Sequence, residues 1–236
     1  MPHPKAETFH RKWPSFSRPV LVTCDDGRKY VLKGAHCGKA IVNEQIVARL
    51  GILIGAPICP TTLVEIPAEL CAVNPQMSDI APGLAHGIEF IDDCTERAGM
   101  DHTGVPENRS RFAALQVLYT WLHAGDQQLI YRTVPPHLVY SVDHGHFFPG
   151  GPNWTVGNLA AAIPVTQYDS TFNIAAITGN ERVNALANLS ALTGSQIDHV
   201  LSIPPTSWGF DSGERTALEK FIKLRREQVI ALPATL

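Results

Sequence analysis

The spacing of apolar residues changes period part-way along the chain, and that change limits the fold more than any other feature. The first third reads as strand-length runs. Residues 19–24 form one, residues 29–34 the next, and Asp25-Asp26-Gly27-Arg28 between them carries hairpin chemistry, because Asp-Gly accepts positive φ at low cost. On the return strand Lys29, Val31 and Lys33 share one face while Tyr30 and Leu32 share the other. Residues 39–54 then switch to helical spacing, with Val42, Ile46, Leu50 and Leu53 in one stripe and Gly51 and Gly55 marking the end. Glu44 lies off that stripe, on a flank with small neighbours. Two more strands fit residues 61–66 and 84–91. Beyond them the pattern is mainly helical. Residues 109–123 place Phe112, Leu115, Leu118, Tyr119 and Leu122 at helical spacing, short strands fit 129–131 and 138–142, and further helices fit 156–162, 171–178, 180–192, 195–202 and 214–231. Asp211 with Glu214 has capping-box spacing before the last of these.

A sheet-rich start followed by a helix-rich remainder predicts an α+β fold of two lobes. The division expected is a flexible arm over 1–14, an N-terminal lobe over 15–93 and a helical C-terminal lobe over 94–236. With 236 residues, 44% of them apolar, the chain can bury a core without disulfides or metals. The five cysteines are odd in number and show no C-x-x-C spacing, which argues against a disulfide framework and a zinc site. A formal charge of −3 leaves no basic footprint for nucleic acid, and the dense basic stretch at 220–226 reads as a solvated helix face. No apolar stretch is long enough to cross a bilayer, and no signal peptide is evident. A cytoplasmic protein is expected, with no nucleic-acid or membrane partner.

Four residues stand in an order that suits phosphoryl transfer, which needs a cation for the phosphates, an anchor for that cation, a carboxylate to orient the attacking hydroxyl and another to hold magnesium. Lys33 ends the hairpin's return strand. Glu44 follows on the helix. Asp126 comes after a helix and a glycine. Asp143 closes an apolar strand and precedes a glycine turn, where a carboxylate is costly unless it is paired or binds metal. Each has an ordinary reading too, as a solvated strand end, a surface glutamate or a turn residue.

The runs Tyr30-Val31-Leu32-Lys33, Val42-Asn43-Glu44-Gln45-Ile46-Val47-Ala48-Arg49-Leu50-Gly51 and Gly55-Ala56-Pro57-Ile58-Cys59-Pro60 resemble the small HipA-like kinases. Asp143-His144-Gly145 is similar to their D-H-G, which stands in for the D-F-G of protein kinases. The resemblance covers about residues 15–150. It implies a two-lobed protein-kinase-like fold and an ATP- and Mg2+-dependent phosphotransferase, with a nucleotide and an unidentified protein or small-molecule hydroxyl as partners. By it, Lys33 contacts the α- and β-phosphates, Glu44 anchors Lys33, Asp126 is the catalytic base, and Asp143 holds magnesium. The stretch 14–19, with Ser15, Phe16 and Ser17, takes the place of a phosphate-covering loop, though it has no glycine. The strand 84–91, with Glu89, leads to the adenine pocket. Where the family carries a metal-binding asparagine five residues after the catalytic aspartate, this chain has Tyr131, and Gln128 is the candidate replacement.

Two other functions stay open. One is a catalytically degenerate kinase fold acting as a binding or regulatory module. The other is a metal-dependent hydrolase, suggested by His144 and His146, which would share a face if they lay on a strand.

Overall fold

A computed structural model describes residues 2–15, 17–97 and 99–234 of the chain. The first strand is one that the sequence pattern did not indicate. β1 (Ala6–Lys12) pairs antiparallel with β2 (Val20–Cys24), which runs through the expected Asp-Gly turn into β3 (Lys29–Lys33). The expected arm over 1–14 is therefore largely an edge strand of the sheet. Only Ala6 in β1 is fully buried, so the strand lacks the alternation that betrays a core-facing element, and its register shifts twice along β2.

The chain next enters helix α1 (Lys39–Leu53), then β4 (Thr61–Ile66), the short helix α2 (Ala68–Val73) and β5 (Gly83–Glu89). The five strands form one sheet in the order β1-β2-β3-β5-β4. Alternation divides its two faces. Val20, Val22, Tyr30 and Leu32 pack with Leu70, Met77 and Ile80 in a small core behind the sheet, while Val31 and Lys33 face a cleft on the other side.

α1 is buried on nearly every side, with Asn43, Glu44 and Gln45 enclosed beside the apolar stripe. Gly51 does not end it as the sequence pattern suggested. It lies within the last turns, where a Cβ would come within 2.7 Å of Ile58 and 3.0 Å of Leu118, so the absence of a side chain permits the helix to approach that closely. Gly55, with φ +73°, supplies the left-handed backbone that follows the helix.

The second lobe is built on α3 (Pro106–Leu122), packed against α5 (Gly179–Ala191) and α7 (Ser212–Ile230), with α4 (Val156–Ala161) and α6 (Gly194–Leu201) beside α7. A three-stranded sheet lies at the lobe boundary, in the order β6 (Cys94–Glu96), β7 (Gln128–Arg132), β8 (Val139–Val142). The larger core runs continuously from α1 through α3 to α7, so the lobes share apolar packing. Trp208 Nε1 donates to the carbonyl of Leu84 at 2.9 Å, and the Ser141 N–H donates to that of Pro57 at 2.9 Å, adding polar ties across the boundary.

Because β1 completes the edge of the sheet and Ala6 fills its back core, removal of residues 1–12 is expected to lower the thermal unfolding midpoint by several degrees. A midpoint equal to that of the whole chain would show the segment to be dispensable.

Candidate functional site

The return strand of the hairpin delivers Lys33 into the boundary between the lobes. Its side chain is 5% exposed, and its Nζ donates to Glu44 Oε1 on α1 and, at 2.7 Å, to Asp143 Oδ1 just after β8. Three segments distant in sequence thus meet at one ammonium. The second oxygen of Glu44 accepts the backbone N–H of His144 at 2.9 Å, so the glutamate grips both the lysine and the turn that carries Asp143. Asp143 adopts φ +58°, a left-handed conformation uncommon for non-glycine residues and most accessible to Asn and Asp.

The charges in this group follow from burial and proximity. Burial disfavours the Lys33 charge, but the Glu44 and Asp143 carboxylates outweigh that cost and hold the ammonium above its ordinary pKa. Burial also opposes ionisation of Glu44, and the Lys33 charge, with the hydrogen bonds from Lys33 and the His144 N–H, more than reverses it, leaving Glu44 below its ordinary range. Asp143 moves the other way. Burial raises it first, the negative charge of Glu44 raises it further, and Lys33 compensates only in part. Lys33 thus sits between a carboxylate held below its ordinary range, Glu44, and one held above it, Asp143, whose side chain is one-third exposed toward the cleft. His86, opposite Lys33 on β5, stays neutral because burial, and then the Lys33 charge, push it well below its ordinary value.

His144 packs edge-on against Phe147 with ring centroids 5.2 Å apart. Its Nε2 lies 3.0 Å from Ser141 Oγ, which bonds in turn to the Tyr119 hydroxyl at 2.7 Å. His144 is buried and His146 exposed on a turn, so the pair does not share the strand face that a metal hydrolase reading needs. Among the described residues no group of three or more His, Cys, Asp or Glu side chains is placed to hold a metal by itself.

A cleft of about 480 Å³ opens in front of Lys33. Of the residues expected at the site, it gathers Ser15, Lys33, Glu89, Gln128 and Asp143. Glu44 stands behind Lys33, fully enclosed. Ser17 is outside the lining, and its carbonyl accepts a hydrogen bond at 3.0 Å from His36 Nε2. Phe16 falls outside the described residues. Asp126 is exposed beyond the lining, with its Oδ1 accepting the backbone N–H of Gln127 at 2.7 Å. Its loop is joined to the segment after Asp143 through the Gly125 N–H, which donates to the His146 carbonyl at 3.0 Å.

Tyr131 does not stand where a metal ligand would. β7 begins at Gln128, and alternation sends Gln128 and Ile130 to the cleft but Leu129 and Tyr131 to the core. The phenol accepts the Asp101 N–H at 2.9 Å and is fully buried. Counting five residues from Asp126 thus gives the wrong face of the strand. Gln128 pairs in register with Val142, immediately before Asp143, and its Nε2 donates to Glu96 Oε1 at 2.9 Å.

Several lining residues had no sequence signal. Arg11 and Trp13 lie on and just after the unrecognised edge strand, with the Arg11 guanidinium 4.2 Å from the Trp13 ring centroid. Glu96 sits on a strand of three residues, too short to show a period. Lys12 and Arg18 both pair with Asp79, which ties down the two ends of the segment between β1 and β2.

Residues 6–148 match the family model described as HipA-like kinase. The chain belongs to the HipA-like kinase family. Its fold is the two-lobed kinase fold, and the crystal structure of a Helicobacter pylori proinflammatory kinase, CtkA, superposes on this HipA-like chain with a TM-score of 0.61 at 10% identity, covering 97% of this chain and 95% of that one. The crystal structure of the Golgi casein kinase with Mn/ADP bound matches at a TM-score of 0.46 and 10% identity, over 97% of this chain and 72% of that one, too weakly to support any argument. No curated protein matches the chain. Among the described residues no helix is long and apolar enough to cross a membrane.

Breaking a buried ion pair from one side leaves an uncompensated charge, which costs about 3–5 kcal/mol. Glu44→Ala is expected to lose stability of that order in urea denaturation, and the double variant Lys33→Met/Glu44→Leu to recover much of it. Equal losses in the single and double variants would show that the pair is not what Glu44 contributes.

Proposed function

We propose that this HipA-like chain is an ATP-dependent phosphotransferase acting on a protein or small-molecule hydroxyl. The observation that carries the reading is the buried Lys33, held by Glu44 and Asp143 at the back of a cleft whose lining mixes apolar residues such as Val31, Ile130 and Val142 with polar ones. Val31 above and Ile130 and Val142 below offer flat apolar surfaces for a nucleobase, and the segment 89–91 offers backbone groups at its edge. Lys33 then lies beyond the sugar, where its charge meets the α- and β-phosphates.

The donor set also fits a magnesium ion. Such an ion uses one or two carboxylates, with phosphate oxygens and water completing its shell. Asp143, one-third exposed and raised in pKa by its burial and by Glu44, is the carboxylate that a cation would favour, and Gln128 offers an amide oxygen beside it. The ion, when bound, would neutralise charge on the phosphates. Asp126 orients the acceptor hydroxyl and takes its proton as the terminal phosphoryl group leaves ADP. Its exposure leaves room for a bulky acceptor on the solvent side.

A second reading, a nucleotide-binding module without turnover, is favoured by the Gln127 N–H that occupies one oxygen of Asp126 and by the absence of glycine between β1 and β2.

A ligand that binds only the folded state at about 100 times its Kd adds about 2.7 kcal/mol. For a chain of this size that raises the unfolding midpoint by roughly 5–11 °C. ATP with magnesium is expected to produce such a shift, ATP alone a smaller one, and Lys33→Met and Asp143→Asn to lose most of it. Asp126→Asn should keep the shift while abolishing phosphate transfer. A shift with no transfer by the unaltered chain would favour the binding module, and no shift at millimolar ATP would sink both readings.

A further inference from the structure

Asn43 precedes Glu44 on α1, is fully enclosed, and faces the segment that follows Asp143. Its side-chain amide is placed against that segment from four directions. Nδ2 donates to the carbonyls of Gly145 at 2.8 Å and Phe147 at 3.0 Å, and a third carbonyl, that of Gly151, lies at 3.3 Å. Oδ1 accepts the Trp154 indole N–H at 3.0 Å. An amide offers two N–H donors and an acceptor oxygen, so Asn43 engages both kinds of group, and no other side chain of its size offers both roles in that geometry.

Resting on the phosphotransferase reading, we propose that Asn43 is the positioning residue for Asp143. It and Glu44 hold the 143–147 turn from its two polar sides. Glu44 accepts an N–H from the turn, at His144, while Asn43 donates to carbonyls one and three residues further on. The turn begins with the left-handed backbone of Asp143, a conformation uncommon for residues with a side chain and most accessible to Asn and Asp. Gly145 lies close under α1, where a Cβ would come within 3.2 Å of Ala40, so the turn is also pressed against the helix that grips it. Loss of the Asn43 amide leaves buried carbonyls unpaired and frees the turn to rotate away from Lys33. Trp154 extends the hold. Its ring lies 4.5 Å from the Lys39 ammonium at the start of α1, and Lys39 pairs with Glu214 in the first turn of α7. The orientation of Asp143 thus depends on how α1 seats on the second lobe.

Hydrogen exchange, the thermal shift and the kinetics of phosphate transfer test this. In the unliganded protein, Asn43→Ala is expected to speed backbone hydrogen exchange across 144–151 by at least about tenfold, with α3 and the strands of the large sheet unchanged; an order of magnitude is what the loss of one buried hydrogen bond implies. Trp154→Phe, which keeps an aromatic ring but removes the indole N–H bond to Oδ1 along with the five-membered ring, leaves the Asn43 amide in place and should give a smaller rise in the same segment. In binding, Asn43→Ala should keep the thermal shift caused by ATP alone and lose the increment added by magnesium. Its phosphate transfer should fall by about 10²-fold in kcat, with KM for ATP little changed, as expected when a reacting group is misplaced by about an ångström. Exchange in 144–151 that matches the unaltered protein would overturn the proposal, as would a retained magnesium increment. If instead the exchange rises but the unaltered protein responds to neither ATP nor magnesium, the functional reading fails and the positioning role in catalysis fails with it.

Discussion

The structure depends on one ammonium group shared between two carboxylates in a place that water barely reaches. An isolated charge there would cost several kcal/mol, so Lys33, Glu44 and Asp143 are tolerated only as a set. Since β3, α1 and the turn after β8 each supply one member, the set also specifies how those segments meet. A purely apolar replacement would pack as well. What it would lack is the imbalance left at Asp143, a carboxylate with only part of a cation to itself and one side open to the cleft. On the proposed phosphotransferase reading, that imbalance is what a polyphosphate and a divalent ion would meet.

α1 carries most of the coupling. Its apolar stripe joins the large core, its Gly51 permits close approach to Ile58 and Leu118, and its adjacent polar pair, Asn43 and Glu44, takes hold of the turn that bears Asp143. A helix with such polar residues enclosed would be costly in isolation. Here Asn43 and Glu44 both find partners across the lobe boundary, so the same hydrogen bonds that make their burial tolerable align the site.

Much of this was legible in the sequence, for identifiable reasons. The hairpin at Asp25–Gly27, the helical periods of 39–54 and 109–123, and the capping pair Asp211/Glu214 are local signals, and the structure shows each of those elements within a few residues of its expected bounds. The meeting of Lys33 with Glu44 and Asp143 was suggested by their order and neighbours. What was not legible depended on contacts distant in sequence. β1 buries one residue and draws its stability from β2, so its own composition resembles a loose arm. Tyr131 falls at the family's asparagine position only when the motif is counted in residues, whereas the strand that bears it sets facing by alternation from Gln128. Asn43 was visible only as part of a family pattern, since its four partners lie more than a hundred residues away.

The central claim is that the Lys33–Glu44–Asp143 group is the phosphate end of a nucleotide site. A crystal structure of the chain grown with magnesium and a non-hydrolysable ATP analogue tests it most directly. Phosphate oxygens are expected within hydrogen-bonding distance of Lys33 Nζ, a metal ion on Asp143, and the base between Val31 and Ile130. A nucleotide bound elsewhere, or a cleft in which Lys33 contacts no phosphate, would contradict it.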